Sequence, residues 1–217
     1  MSNRPTMLSN NIKDGFVMKK FRKIEISLAI GLVAAIVCSL VGFGYDCKEI
    51  RNNVVRLHIL AESDCDADQN VKLLVRDALL ESGAEIFSGT ATFETASEAL
   101  AKEKDKLIAI AENVLRENGF DYGVTINLER EYYTTRTYEN YTLPAGEYLS
   151  LKVVLGKGEG HNWWCVMFPP LCLPAASFSS DIDAILGADG AKIINSNPKY
   201  EMRFKIVEVF EKVKSWL

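Results

Sequence analysis

The hydrophobic residues of the chain change their spacing several times, and each spacing predicts a different element. From Ile26 to Tyr45 the sequence has 20 residues without a charge, enough for one helix to cross the apolar core of a bilayer. From Val54 to Ala61 apolar and polar residues alternate, as in a half-buried strand. Helical spacing then predicts two amphipathic helices, the first capped by Ser63 and Asp64 and the second running from about Thr95 to Asn118.

Alternation returns in the second half of the chain. It covers Val124 to Glu129, Leu149 to Leu155 and Asn162 to Phe168, and turn residues such as Pro144 and Gly146 separate these segments. The order of one strand, two helices and three strands predicts an α+β fold. We expect a mostly antiparallel sheet with two helices packed on one face, preceded by an N-terminal transmembrane or signal helix.

Charge divides the chain at the apolar run. Residues 1–45 contain six Lys or Arg and two Asp or Glu, a net charge of +4, whereas residues 46–217 contain 19 and 27, a net charge of −8. Basic residues before the run predict a cytoplasmic N-terminus, with the remainder outside. The predicted divisions are a cytoplasmic arm (1–25), a transmembrane or signal segment (26–45), an extracytoplasmic α+β domain (46–172) and a C-terminal extension ending in an amphipathic helix (173–217). The acidic exterior does not suit nucleic acid.

The apolar run fits two fates. Small residues at Gly42 and Gly44 offer a cleavage site after Gly44, as in a secretory signal peptide, whereas an uncleaved run would anchor the protein. The residues before Cys38 and Cys47 lack the pattern of a bacterial lipid-anchor site.

The stretch HNWWCVMFPPLC, from His161 to Cys172, gathers side chains of several chemistries. Pro169 and Pro170 end the predicted strand because proline cannot donate to a sheet ladder. Trp163 and Trp164 are neighbours in a strand, so they point to opposite faces. Packing of both in the core is the favoured interpretation, and the alternative is that one of them covers the helices or meets a partner.

The cysteines of this stretch allow four interpretations. In an oxidising exterior a Cys165–Cys172 disulfide across the proline corner is the favoured one, with buried free thiols as the alternative. A metal site with His58 and His161 lacks a recognised zinc spacing. A thiol enzyme would need His58, because four extended residues place His161 about 13 Å from Cys165. Nothing in the sequence fixes a second pair between Cys47 and Cys65.

Two long stretches carry a resemblance to a known family. VVRLHILAESDCDADQNVKLLVRDALL and YTLPAGEYLSLKVVLGKGEGHNWWCVMFPPLC resemble the stage II sporulation protein R family, over roughly Val54 to Cys172. The resemblance implies a non-enzymatic signalling protein of endospore-forming bacteria, made in the forespore and exported into the space between forespore and mother cell. There it would activate a membrane-embedded aspartic protease that matures a mother-cell sigma factor, with no cofactor and no small-molecule substrate.

Family-matching residues are the candidates for contact with this protease: Arg56, His58, Asp64, Asp68, Pro144, Gly146, Trp163, Trp164, Pro169 and Pro170. For Arg56 and His58 the alternative is that they cover the sheet and pair with Glu62 or Asp64. Two other classes of protein stay open on the residues alone: an extracytoplasmic cysteine-dependent or cell-wall enzyme, and a structural membrane-anchored domain.

The C-terminal segment from Pro198 to Leu217 has a helical apolar stripe. Its members are Met202, Ile206, Val209, Phe210, Val213, Trp216 and Leu217. We expect this stripe to dock on the exposed face of the sheet. The alternative is that it lies on a membrane or on the protease.

Overall fold

The computed structural model describes residues 7–88, 92–138, 141–169, 171, 185–186, 190–194 and 201–214. The chain forms two compact units, with the boundary between Tyr45 and Asp46.

The first unit is built from helix α1 (Met7–Asn52), which contains the whole predicted apolar run. Its part from Arg22 to Asn52 is long and apolar enough to cross a membrane. Large apolar side chains along it, such as Leu28, Ile30 and Leu32, are exposed. A signal sequence near an N-terminus has the same properties. The helix is therefore of the signal or anchor type.

The second unit contains a four-stranded sheet in the order β2-β5-β1-β6 and a separate ribbon of β3 with β4. The strands are β1 (Val55–Leu60), β2 (Val124–Tyr133), β3 (Arg136–Thr137), β4 (Thr142–Leu143), β5 (Gly146–Leu155) and β6 (Asn162–Phe168). β1 runs parallel to β5, while the β1–β6 and β2–β5 pairs are antiparallel. The prediction of a mostly antiparallel sheet is wrong, since the sheet is mixed. Alternation identifies strands but carries no information about their neighbours.

Helices α2 (Asp66–Ile86), α3 (Phe93–Lys102) and α4 (Lys104–Glu117) follow β1. The second predicted helix is thus two helices, because Glu103, with φ −91° and ψ 10°, leaves helical geometry. Thr92 and Thr95 form a capping box at the start of α3. The break itself contains neither Gly nor Pro, so no local pattern marks it.

The main apolar core lies between these helices and one face of the sheet. Val71, Val75 and Leu79 of α2 are buried there, as their spacing predicts, but Leu74 is 46% exposed and does not join them. Strand β1 contributes its alternate residues Val55, Leu57 and Ile59 to this core. The other buried members of the core include Leu100, Leu107, Ala111, Leu115, Ile126, Leu151, Val153, Cys165 and Met167. The opposite face of the sheet, called here the open face, is the one onto which Arg56 and His58 point.

The second unit also includes the end of α1 and a C-terminal helix, α5 (Glu201–Lys214). Arg51 joins them, since its Nη1 donates to Ala145 O at 2.9 Å and its Nη2 to Glu211 Oε1 at 3.1 Å. Phe204 of α5 is buried at 4% exposure. The unit therefore holds α5 by the helix face that carries Phe204 and Glu211.

This arrangement corrects the expectation for the C-terminal stripe. Ile206, Val209 and Val213 are 47%, 65% and 52% exposed, so the apolar stripe is not docked on the sheet. The helix is instead held by a face that the sequence pattern did not single out, which carries the buried Phe204 and the part-buried ion pair of Glu211 with Arg51. The other predicted members, Met202, Phe210, Trp216 and Leu217, have side chains outside the described residues.

Candidate partner-binding surface

Arg56 lies at the centre of the open face and is completely buried. Its Nε donates to Cys165 O at 3.1 Å and its Nη2 to the Tyr138 hydroxyl at 2.6 Å. The guanidinium carbon lies 4.3 Å from the ring centre of Tyr133 and 5.2 Å from that of Tyr148. These contacts, and not the alternative pairing with Glu62 or Asp64, hold the Arg56 side chain. A guanidinium held by aromatic faces and two hydrogen bonds stabilises this part of the fold.

His58 lies next to Arg56 in β1 and is 5% exposed. Its Nδ1 lies 3.2 Å from both carboxylate oxygens of Glu131, and its Nε2 lies 2.9 Å from Asn162 Oδ1. Each ring nitrogen therefore lies within hydrogen-bond distance of a polar side-chain atom. The Trp164 ring stacks on the imidazole with a centroid distance of 3.7 Å, and Tyr133 meets that indole edge-on at 4.9 Å. His58 thus pairs with Glu131 and not with the alternative partners, Glu62 or Asp64.

Lys152 extends this network towards β2. Its Nζ lies 3.0 Å from Glu129 Oε1 and 3.1 Å from Glu131 Oε1. The two hydrogen bonds raise the pKa of Lys152, the bond to Glu129 contributing most. The result is a partly exposed group that crosses all four strands, called here the polar patch. Its members are His58, Glu129, Glu131, Lys152, Asn162 and Trp164.

Four members of the polar patch were missed by the sequence analysis: Glu129, Glu131, Lys152 and Asn162. Each alternates with core residues along its strand, so the pattern placed Glu129 and Lys152 on the polar face without marking them as special. Only the strand order β2-β5-β1-β6 brings them beside His58.

Glu131 makes the stability of the patch dependent on pH. Burial alone would raise its pKa, but hydrogen bonds from Ser150 and Lys152 and the charge of His58 outweigh burial and lower the pKa below its ordinary value of 4.5. A carboxylate with a lowered pKa stabilises the fold above that value, and this contribution is lost as pH falls through the folded-state pKa.

Replacing Glu131 by Gln should therefore lower the free energy of unfolding by about 2 kcal/mol at neutral pH. The difference from the unmodified protein should be smaller at pH about 3 than at neutral pH, because Glu131 takes up a proton as the pH falls through its lowered folded-state pKa. Urea denaturation at the two pH values measures it. The exposed Glu112→Gln on α4 is the control and should change neither value. A deficit for Glu131→Gln that is equally large at both pH values would contradict the ionic role.

A second polar group lies at the start of α2. Asp64 accepts a hydrogen bond from the His161 backbone N at 2.6 Å and also contacts the His161 ring nitrogen Nδ1. The side-chain hydrogen bond to His161 lowers the pKa of Asp64. The predicted caps, Ser63 and Asp64, are not the N-cap. Cys65 occupies that position, and its sulfur accepts from the Asp68 N at 3.5 Å.

Asp68 is buried beneath this group. Its carboxylate accepts from the Ser63 hydroxyl at 2.5 Å and from the Tyr122 hydroxyl at 3.0 Å. The hydrogen bond from Ser63 is the main cause of its lowered pKa. Asp68 therefore fixes the loop before α2, whereas Asp64, with 57% of its side chain exposed, remains accessible to a partner.

Pro144 and Gly146 flank the start of β5 and are buried. The Tyr148 hydroxyl donates to Pro144 O at 2.6 Å. Gly146 has φ +138°, and a Cβ at this position would lie 2.5 Å from Cδ of Arg51. Gly146 thus leaves room for the Arg51 side chain, Pro144 accepts a hydrogen bond from Tyr148, and neither residue is exposed to solvent.

The two tryptophans of β6 lie on opposite faces, as predicted. Trp163 packs against the apolar core, with the guanidinium carbon of Arg76 4.6 Å from its ring centre. Trp164 lies on the open face, where Arg136 approaches its ring at 5.2 Å. Both side chains are only partly buried. Trp164, which stacks on His58, is the tryptophan that belongs to the polar patch.

The end of β6 is partly described. Pro169 is buried and follows a cis peptide bond, while Pro170 and Cys172 lie outside the described residues. Cys165 is 3% exposed and disulfide-bonded. Its predicted pairing with Cys172 stays a prediction. Cys38, Cys47 and Cys65 are free, so the suggested Cys47–Cys65 pair does not form in this structure.

The geometry separates the residues that a thiol enzyme would need. Cys165 faces the apolar core beside the helices, whereas His58 lies on the open face with both ring nitrogens engaged. The described part of the chain contains no group of three or more His, Cys, Asp or Glu side chains placed to hold a metal ion. The arrangement defines an α+β domain whose distinctive surface is a charged and aromatic sheet face.

Comparison with known proteins identifies the family. The model of the stage II sporulation protein R family matches residues 51–177, more than half of the chain, and the chain belongs to this family. Stage II sporulation protein R of Bacillus subtilis (strain 168) is 35% identical over 123 residues, which are 57% of this chain and 55% of that protein. The match thus spans about half the length of this curated relative. No solved structure matches the chain. Family membership supports a role in sporulation.

Proposed function

We propose that the second unit is an intercellular signal of endospore formation, exported from the forespore to activate a membrane-embedded aspartic protease that matures a mother-cell sigma factor. The observation that carries this proposal is the position of the family match. Residues 51–177 include β1 to β6, α2 to α4 and every member of the polar patch.

The N-terminal helix supports delivery across a membrane. It is of signal or anchor type, and the basic residues before it favour a cytoplasmic N-terminus. The second unit would then lie in the space between forespore and mother cell, held to the membrane if the apolar run is not cleaved. In this proposal the protein acts without catalysis of its own.

The polar patch is the proposed contact with the protease. It combines an exposed amide at Asn162, a partly exposed cation at Lys152 and the Trp164 ring, which His58 and Tyr133 hold in place. Aromatic and charged side chains on a rigid support commonly provide the dominant contacts of protein interfaces. Arg56 is fully buried beneath them, so its proposed role is to support the surface rather than to touch the protease.

The proposal is tested by expressing the chain together with the protease and sigma factor precursor of the same genome in a bacterium that lacks all three. Immunoblotting measures the mature sigma factor. The full chain should give processing, whereas the variant lacking Ile26–Tyr45 should accumulate in the cytoplasm without processing. Equal processing by that variant, or none by the exported full chain, would contradict the proposal.

A further inference from the structure

Helix α5 presents an apolar stripe that no described part of the chain covers. Ile206, Val209 and Val213 occur at i, i+3 and i+7, which places them on one side of a helix. Each is about half exposed or more, at 47%, 65% and 52%. The opposite side holds Phe204 and Glu211, which attach the helix to the second unit. The stripe therefore faces outwards from a helix that is already held in place.

Charge distinguishes this helix from the rest of the second unit. The segment 198–217 has five Lys or Arg and three Asp or Glu, a net charge of +2, within a region, 46–217, whose net charge is −8. Lys205 and Lys212 are exposed and lie beside the apolar stripe when the sequence is placed on a helix. An apolar stripe bordered by lysines is the pattern of helices that lie in the headgroup region of anionic membranes.

The chain connection also favours a lipid surface. Arg51, whose guanidinium binds Glu211 of α5, comes six residues after Tyr45, the end of the uncharged run. When that run is in a bilayer, Arg51 follows the membrane segment by only six residues of chain, and α5 is attached to Arg51. Attachment of this kind raises the effective concentration of the helix at the lipid surface, so that even a short stripe can bind.

We propose that α5 is a second membrane contact of this protein, with Ile206, Val209 and Val213 inserted among the headgroups and acyl chains of anionic lipid. Its role is to fix the orientation of the second unit on the membrane. This proposal does not depend on the identity of the signalling partner.

Hydrogen exchange of the full chain tests it. The protein is reconstituted into phosphatidylcholine bilayers, with or without about 30% phosphatidylglycerol, a content that supplies anionic headgroups, and into uncharged detergent micelles. Exchange of the α5 amides should be at least about tenfold slower in the anionic bilayers than in the other two, because an inserted helix is shielded from water. Val209→Asp should abolish that slowing. Leu74→Asp, at a comparably exposed apolar position on α2, should leave it unchanged.

Three results would overturn the proposal. One is equal exchange of α5 in all three environments. Another is slowing that rises with protein concentration in micelles, which would assign the stripe to a second copy of the chain. The third is slowing that requires added protease in the absence of anionic lipid. Exchange of the β1 and β5 amides confirms that Val209→Asp remains folded, as the exposure of Val209 leads us to expect.

Discussion

Replacing Arg56 by alanine should lower the free energy of unfolding by about 4 kcal/mol. The substitution leaves a cavity among Tyr133, Tyr138 and Tyr148, and it removes the Nε donor of the hydrogen bond to the buried Cys165 carbonyl. Cavity formation and an unsatisfied buried acceptor each cost a few kcal/mol. Urea denaturation of the detergent-solubilised full chain, followed by tryptophan fluorescence, measures the change.

Arg130→Ala provides the matched control. Arg130 is exposed on β2, so its loss should change stability by no more than about 0.5 kcal/mol. Arg56→Lys should still be strongly destabilising, because an ammonium cannot reproduce the planar contacts of a guanidinium. A stable Arg56→Ala protein that fails to activate the protease would show that Arg56 acts at the interface, contrary to the support role proposed for it.

Reversing the charge of Lys152 should reduce activation of the protease by at least about tenfold, the loss expected of a central interface residue. Lys152→Glu places a third carboxylate beside Glu129 and Glu131, which lie 3.0 and 3.1 Å from the native Nζ. The patch then changes from mixed charge to strongly negative. Sigma factor processing in the co-expression system measures the effect. This prediction rests on the proposed function.

Two further variants separate a lost contact from a lost fold. Lys106→Glu makes the same charge change on α4, where Lys106 forms an exposed 3.8 Å pair with Glu85, and it should leave processing unchanged. Lys152→Met keeps the apolar stem without adding a negative charge, and it should also reduce processing while the protein stays folded, with a smaller loss of stability in urea than Arg56→Ala shows. Normal processing by both Lys152 variants would exclude the polar patch as the contact.

The local elements of the second unit were largely predictable from the sequence. Alternation located β1, β5 and β6, and the spacing of Val71, Val75 and Leu79 located α2, because each element shows its period over a short range. The mixed sheet was not predictable, since strand order depends on contacts between distant segments. The break at Glu103 was missed because it has neither Gly nor Pro to mark it.

The candidate surface was predictable only in part. His58 and Trp164 were selected from the family resemblance, and both lie on the open face. Burial of Arg56 could not be foreseen, because its tyrosine cage comes from residues 133–148, far away in sequence. The exposed stripe of α5 was misjudged for a related reason, since the helix face that is held contacts Arg51, which lies far from α5 in the sequence.

Site-specific photo-crosslinking tests the signalling role most directly. A photoreactive phenylalanine analogue is placed at Asn162, in the exposed part of the polar patch, or at Lys106 on the helix side, and each protein is co-expressed with the protease. We predict that irradiation gives a covalent adduct with the protease from position 162 and none from position 106. An adduct from position 106 but not from position 162, or none from either in cells where the sigma factor is processed, would contradict a contact through the open face.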